Sequence, residues 1–87
     1  MTEERYLRRD DVAFCLAHVV EECGEVLAAA GKSQRWGLDS FNPTLLAHQQ
    51  ESNRKWLMRE IHDLRQALDR LETAMTAELI HRVGLDK

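Results

Sequence analysis

A single apolar stripe constrains the fold of this chain more than any other feature of its sequence. Large apolar residues recur at alternating steps of four and three, at Leu57, Ile61, Leu64, Leu68, Leu71 and Met75. Such spacing places all of them on one side of an α-helix. The sequence therefore predicts a long helix from about Asn53 to Ile80 that packs against other helices.

A second helical stripe lies earlier in the chain. Its members are Val12, Leu16, Val19, Cys23, Val26 and Ala30, again at steps of four and three. Asp10 or Asp11 suits the position that caps the start of this helix, unless the helix begins nearer Thr2. Gly31 suits its C-terminal end.

Between the two stripes the sequence predicts one loop, at about residues 31–43. Gly31, Gly37 and Pro43 bracket the stretch "GKSQRWGLDSFNP", and glycine and proline are the strongest turn-forming residues. Asn42 and Pro43 are the types expected at the cap and first position of a following helix. The polar run "HQQESN" either continues that helix or breaks it near Ser52.

Two helices cannot enclose a core, because each leaves half of its apolar stripe in contact with water. The chain of 87 residues is also short enough to be only marginally stable alone. We therefore expect an all-α fold and a single domain over residues 1–87. In this fold a helical hairpin dimerises into a four-helix-bundle-like core.

Composition and charge exclude several classes of protein. The formal net charge of -3 offers no basic surface for nucleic acid. No apolar run approaches the length that spans a membrane, and the charged N-terminus does not resemble a signal peptide. Cys15 and Cys23 lie eight residues apart in one helix, about 12 Å at the helical rise, which is too far for a disulfide. These features predict free thiols and a cytoplasmic protein.

Acidic residues lie at the margin of both apolar stripes. They are Glu21, Glu22 and Glu25 beside the first stripe, and Glu60 and Asp63 beside the second. One pair at this spacing is common by chance and fits a solvated helix face. Two pairs on consecutive helices would face each other in an antiparallel hairpin, where crowded carboxylates repel. A divalent cation relieves that repulsion, and oxygen ligands favour Mg²⁺ or Mn²⁺.

The segments "EECGE" (residues 21–25) and "EIHD" (residues 60–63) resemble the EExxE…ExxD pattern of the MazG-like, all-α nucleoside triphosphate pyrophosphohydrolases. The resemblance covers about residues 12–71. It implies a homodimer or tetramer that uses Mg²⁺, with Mn²⁺ as a substitute, to convert a (deoxy)nucleoside triphosphate to its monophosphate and pyrophosphate. House-cleaning of nucleotide pools is the corresponding role. The long interval between the two segments argues against the phosphoribosyl-ATP enzyme of this family.

The resemblance also implies roles for the five acidic residues. Glu22, Glu25, Glu60 and Asp63 would be metal ligands. Glu21 would be a further ligand or would orient the attacking water. A carboxylate outside the ligand set can take the proton of that water, and Glu21 is the residue that we expect to do so.

Three further residues are candidates for substrate binding. Lys32 and Arg35 can hold phosphate, and the indole of Trp36 can stack on a base. The alternatives are that both cations are solvated and that Trp36 anchors the loop. Trp56 begins the second stripe and is expected in the core.

A second class of function fits the same sequence. The chain ends soon after the second acidic segment, where many MazG-like relatives carry further basic and amide groups for substrate. This favours a non-catalytic helical oligomerisation or interaction module. The complete set of five acidic residues favours the enzyme.

Overall fold

The computed structural model describes residues 11–84 and shows a helical hairpin. Within these residues there are two α-helices, α1 (Val12–Trp36) and α2 (Asn53–Val83), and one short 3-10 turn (Ala47–Gln49), with no strand. The two helices pack against each other along their length. In this part of the chain, neither helix contains the long apolar stretch that a bilayer-spanning helix needs. The predicted all-α hairpin is confirmed.

The start of α1 confirms one predicted cap and its end corrects another. The Asp11 carboxylate accepts hydrogen bonds from the backbone N–H groups of Ala13 (2.7 Å) and Phe14 (3.2 Å). A start nearer Thr2 falls outside the described residues. The predicted end at Gly31 is wrong, because α1 continues to Trp36 and stops at Gly37, whose φ of 96° favours glycine. Glycine inside a helix costs only about 1 kcal/mol, so Gly31 does not end it.

The connection spans residues 37–52, so it begins later and is longer than the predicted loop at about residues 31–43, and it is built differently. Asn42 does not cap a helix, because residues 43–45 form a turn and not a helix. Within that turn its side chain accepts hydrogen bonds from the backbone N–H (3.0 Å) and hydroxyl (2.7 Å) of Thr44. The polar run breaks rather than continues the helix. Ser52 caps α2 by accepting from the Lys55 N–H at 3.1 Å, which confirms the predicted start at Asn53.

The contact surface of α2 consists of small and polar residues rather than leucines. Its fully buried positions repeat every seven residues, at Asn53, Glu60, Ala67 and Ala74. On α1, Cys15 and Ala29 are completely buried. Alanine side chains let the two helix backbones approach closely, and a seven-residue repeat keeps one face of α2 directed at α1.

The predicted apolar stripes flank this contact instead of forming its centre. Leu68 directly follows Ala67, so it points about 100° away around the helix, and 46% of it is exposed. Met75 is 53% exposed and Leu16 on α1 is 50% exposed, whereas other stripe residues such as Leu64 are half-buried. A single neighbouring helix covers only a narrow strip of each surface. The predicted assembly of hairpins into a four-helix core stays a prediction.

Asn53 ties the end of α1 to the start of α2. Its buried side-chain amide donates to the backbone carbonyls of Gly37 (2.9 Å) and Lys32 (3.4 Å). Its own N–H donates to the Ser40 carbonyl at 2.8 Å. Next to it, the Arg54 guanidinium pairs with Asp39 at 3.1 Å, and this pairing lowers the pKa of the Asp39 carboxyl. One short segment therefore fixes the angle between the connection and both helices.

We expect Asn53→Asp to destabilise the hairpin by about 1–3 kcal/mol, because it removes two N–H donors and directs a carboxylate at two carbonyl oxygens. Urea unfolding followed by circular dichroism measures the loss. Asn42→Asp is the matched control, because Asn42 only accepts hydrogen bonds in the structure. Equal stability of the two variants would contradict the role given to Asn53.

Candidate metal centre and adjoining cleft

Three carboxyl side chains meet between the two helices. Glu22 comes from α1, and Glu60 and Asp63 come from α2. One carboxylate oxygen of each lies within 4.8 Å of the corresponding oxygens of the other two. Residues three apart share a face of a helix, so the local spacing explains the α2 pair. The packing of α1 on α2 adds Glu22. We call these three residues the acidic cluster.

Glu60 is the most buried member of the acidic cluster, with 7% of its surface exposed. Within the described residues, no hydrogen bond or ion pair reaches its carboxylate. Burial is the main cause that raises its pKa. The positive charge of Arg59 lowers this pKa, whereas the negative charges of Glu25, Asp63 and Glu22 raise it. A positive charge placed beside this carboxylate would favour its ionised form.

Glu22 has a neighbour on its own helix. The His18 Nε2 atom lies 3.4 Å from a Glu22 carboxylate oxygen, one helical turn away. The Phe14 ring lies beside the imidazole, with 6.4 Å between the ring centroids. The His18 Nδ1 atom is buried and has no hydrogen-bond partner among the described residues. The sequence did not reveal this contact, because a histidine four residues before a glutamate is common on helix surfaces.

The other two predicted acidic residues lie outside the acidic cluster. Glu25 is exposed but close enough for its charge to affect the pKa of Glu60. Glu21 is exposed and precedes Glu22 by one position, which turns it about 100° around α1. The structure thus brings together three of the five predicted acidic residues and places Glu25 nearby.

A cleft of about 720 Å³ lies at the end of the hairpin where the connection crosses from α1 to α2. Its lining residues are Lys32, Trp36, Ser40, Phe41, Asn42, Pro43, Leu45, Gln49, Glu51, Asn53 and Trp56. Two indoles and a phenyl ring make it aromatic, and its volume suits a small planar ligand. We call it the aromatic cleft.

The predicted substrate-binding residues lie on α1 rather than in a loop. Lys32, Arg35 and Trp36 all belong to the last turns of that helix, because it extends past Gly31. Lys32 and Trp36 line the aromatic cleft, and Trp36 is 61% exposed. Arg35 does not line the cleft, and its guanidinium lies 5.2 Å from the centre of the Trp36 ring. This distance is typical of a cation–π contact.

Other lining residues could not be assigned from the sequence. Trp56 was expected in the core but is half-buried and lines the aromatic cleft. Glu51 lines it too, and its carboxylate pairs with Arg59 at 2.6 Å. Asn53 reaches the cleft from the buried face of α2. These residues are far apart in the sequence, and no sequence pattern indicates that they meet.

The acidic cluster fits a hard divalent cation. All of its converging ligand atoms are carboxylate oxygens, the donors that Mg²⁺ and Mn²⁺ prefer. Zinc favours nitrogen and sulfur, and neither occurs in the converging set. The buried and unpaired Glu60 carboxylate is the feature that a cation would compensate.

Comparisons with known proteins leave the resemblance to MazG-like enzymes as a prediction. No family model matches the chain, and no curated protein or solved structure matches it. The case for a metal centre therefore depends on the geometry of the acidic cluster itself.

We expect Glu60→Gln to leave the metal-free protein equally stable or to stabilise it, because the variant removes a buried charge that Glu22 and Asp63 repel. The same variant should lose its response to Mg²⁺. Binding to the native state alone stabilises by about 2.7 kcal/mol at a hundredfold excess over Kd. Thermal unfolding with and without millimolar Mg²⁺ or Mn²⁺ measures both effects.

Glu72→Gln is the control for this experiment. Glu72 is exposed on the same helix and lies outside the acidic cluster, so its variant should keep the wild-type response to metal. Clear destabilisation of the metal-free Glu60→Gln protein, together with a retained metal response, would show that this glutamate serves the fold and not a cation.

Proposed function

We propose that the protein is a Mg²⁺-dependent nucleotide pyrophosphohydrolase that converts a (deoxy)nucleoside triphosphate to its monophosphate and pyrophosphate. The observation that supports this proposal most strongly is the convergence of three carboxylates around the buried, unpaired Glu60. The resemblance of "EECGE" and "EIHD" to the MazG-like pattern supplies the reaction. House-cleaning of nucleotide pools is the cellular role that such a reaction serves.

Glu22, Glu60 and Asp63 hold the cation in this proposal, and Glu25 is the fourth ligand. When bound, the cation neutralises phosphate charge and acidifies a coordinated water. Glu21 lies outside this ligand set and accepts the proton of the attacking water in the proposal, since a carboxylate outside the ligand set can take that proton. The resemblance itself implies that Glu21 is a further ligand or orients the water. The oxygen of the attacking water bonds to phosphorus as the bond between the α- and β-phosphates breaks, which gives the monophosphate and pyrophosphate.

The aromatic cleft is suited to the base of the same substrate. Trp36 offers an exposed ring for stacking, and Lys32 beside it can pair with phosphate. Arg35 lies on the outer side of the indole and is a second cation for the substrate. On α2, Trp56 precedes Glu60 by four residues, or about 6 Å along the helix. A nucleotide with its base in the cleft can therefore extend its phosphates toward the acidic cluster.

The proposal includes self-association into a homodimer or tetramer. Leu16 and Leu27 on α1 and Leu68 and Met75 on α2 leave large apolar surfaces exposed in one hairpin. Burial of such surface stabilises by roughly 25 cal/mol per Å². A second copy of the chain would cover these surfaces in the way that a four-helix bundle does.

The alternative is a non-catalytic helical interaction module. The observation in its favour is the same exposed apolar surface, which does not involve the acidic cluster. The two functions differ in turnover, so a screen of nucleoside triphosphates for pyrophosphate release separates them.

We expect pyrophosphate release with Mg²⁺ to fall at least about 100-fold in Asp63→Asn, because a cation held at the phosphates contributes several kcal/mol to the reaction. Asp69→Asn is the matched control. Asp69 is exposed on the same helix outside the acidic cluster, so its variant should keep wild-type activity. Absence of turnover in the wild-type protein with every nucleoside triphosphate would favour the interaction module.

We expect Leu27→Glu to reduce the mass of the assembly in sedimentation equilibrium, because it places a charge on apolar surface that a second copy would bury. Gln34→Glu adds the same charge at another exposed position of α1 and serves as the control. A wild-type protein that sediments as a folded single chain would contradict the proposed self-association.

A further inference from the structure

The orientation of the Asn53 amide is determined by its neighbours. Its Nδ2 atom lies 2.9 Å from the Gly37 carbonyl oxygen and 3.4 Å from the Lys32 carbonyl oxygen. Carbonyl oxygens only accept hydrogen bonds, so the NH₂ group must face them. The Oδ1 atom consequently points away from the end of α1. No swap of the amide oxygen and nitrogen would satisfy the same contacts.

The Asn53 Oδ1 atom is the part of this amide that remains for a ligand. Asn53 is 9% exposed and lines the aromatic cleft. Among the described residues, no donor forms a hydrogen bond with Oδ1. Because Asn53 lines the cleft and its oxygen is not sealed off from solvent, a donor on a bound ligand can reach it. The side chain is thus a preorganised acceptor, because two backbone carbonyls hold it in place.

Aromatic rings line the same cleft as this acceptor. Trp36, Phe41 and Trp56 line the same cleft, so a planar ring can stack there while its edge meets a polar atom. A nucleobase combines a planar face with N–H donors on its edge. A simple aromatic ring lacks the donor, and a sugar lacks the face.

We infer that Asn53 Oδ1 selects the base by accepting a hydrogen bond from its exocyclic amino group inside the aromatic cleft. This inference rests on the proposed function, since it assigns the specificity of the same substrate site. Cytosine, adenine and guanine each present an amino group that can donate. An analogue without a base N–H leaves Oδ1 unpaired on binding, and should bind about tenfold more weakly or worse.

The test changes the ligand rather than Asn53, because substitution of Asn53 would also break its contacts with α1. Two matched pairs of 5′-monophosphates differ only in the amino group: cytidine against pyrimidin-2-one riboside, and adenosine against purine riboside. The chain has two tryptophans, Trp36 and Trp56, and both line the cleft. Tryptophan fluorescence in the presence of Mg²⁺ therefore reports binding directly.

The inference predicts that the amino-bearing member of at least one pair binds about tenfold more tightly than its partner. Equal affinity within both pairs would overturn it, as would the absence of any fluorescence change. The 2′-deoxy forms of the same monophosphates are a third set of ligands. If affinity falls on removal of the sugar hydroxyl and does not depend on the base amino group, Oδ1 accepts its hydrogen bond from the sugar, and the inference is overturned.

The corresponding triphosphates separate this inference from the proposed function. Pyrophosphate release at equal kcat/KM within both pairs would leave the hydrolase in place and overturn the role of Asn53. Absence of pyrophosphate release, together with a clear preference for the amino-bearing monophosphates, would overturn the hydrolase and leave the base-binding cleft.

Discussion

The packing of a carboxylate into a helix–helix contact is the constraint on which the rest of this structure depends. Glu60 occupies one of four buried positions that repeat every seven residues on α2. An alanine at this position would continue the pattern of Ala67 and Ala74 without the free-energy cost of a buried charge. Burial instead raises the pKa of Glu60 and exposes it to the charges of neighbouring acidic residues. Such a cost is typical of functional sites rather than of structural contacts.

The same contact explains why the acidic cluster lies beside the aromatic cleft. Asn53 and Glu60 are seven residues apart on the buried face of α2. Asn53 binds the end of α1, and Glu60 meets Glu22 further along that helix. One face of α2 therefore positions both sites relative to α1. The exposed leucines on the flanking surfaces do not contribute to this arrangement and are available for a second chain.

The sequence predicted the features that depend on local spacing. The helices followed from their apolar periodicity, and the pairing of Glu60 with Asp63 followed from their separation of three. The face that each helix presents to the other was not predictable, because the contact is centred on Ala67 and Ala74 and not on the larger leucines. The convergence of Glu22 with Glu60 was expected from an antiparallel hairpin, and the separate position of Glu21 follows from its offset of one residue, or about 100°, from Glu22.

The connection between the helices was harder to predict than the helices. Gly31 is of the residue type expected at a helix end, but it lies inside α1, and it is Gly37 that takes a positive φ and ends the helix. The role of Asn53 depends on two carbonyls that lie 16 and 21 residues away in the chain, and no local pattern records such contacts. The aromatic cleft likewise combines both helix ends with the segment between them.

The binding of Mn²⁺ to ¹⁵N-labelled protein, followed by paramagnetic broadening of amide signals, tests the central claim most directly. Mn²⁺ replaces Mg²⁺ at oxygen sites and broadens the signals of nearby nuclei. The account predicts that substoichiometric Mn²⁺ first broadens the amides around Glu22, Glu60 and Asp63, and that excess Mg²⁺ restores them. Broadening spread evenly over the exposed acidic residues, with the signals at Glu60 unchanged, would contradict a metal centre between the two helices.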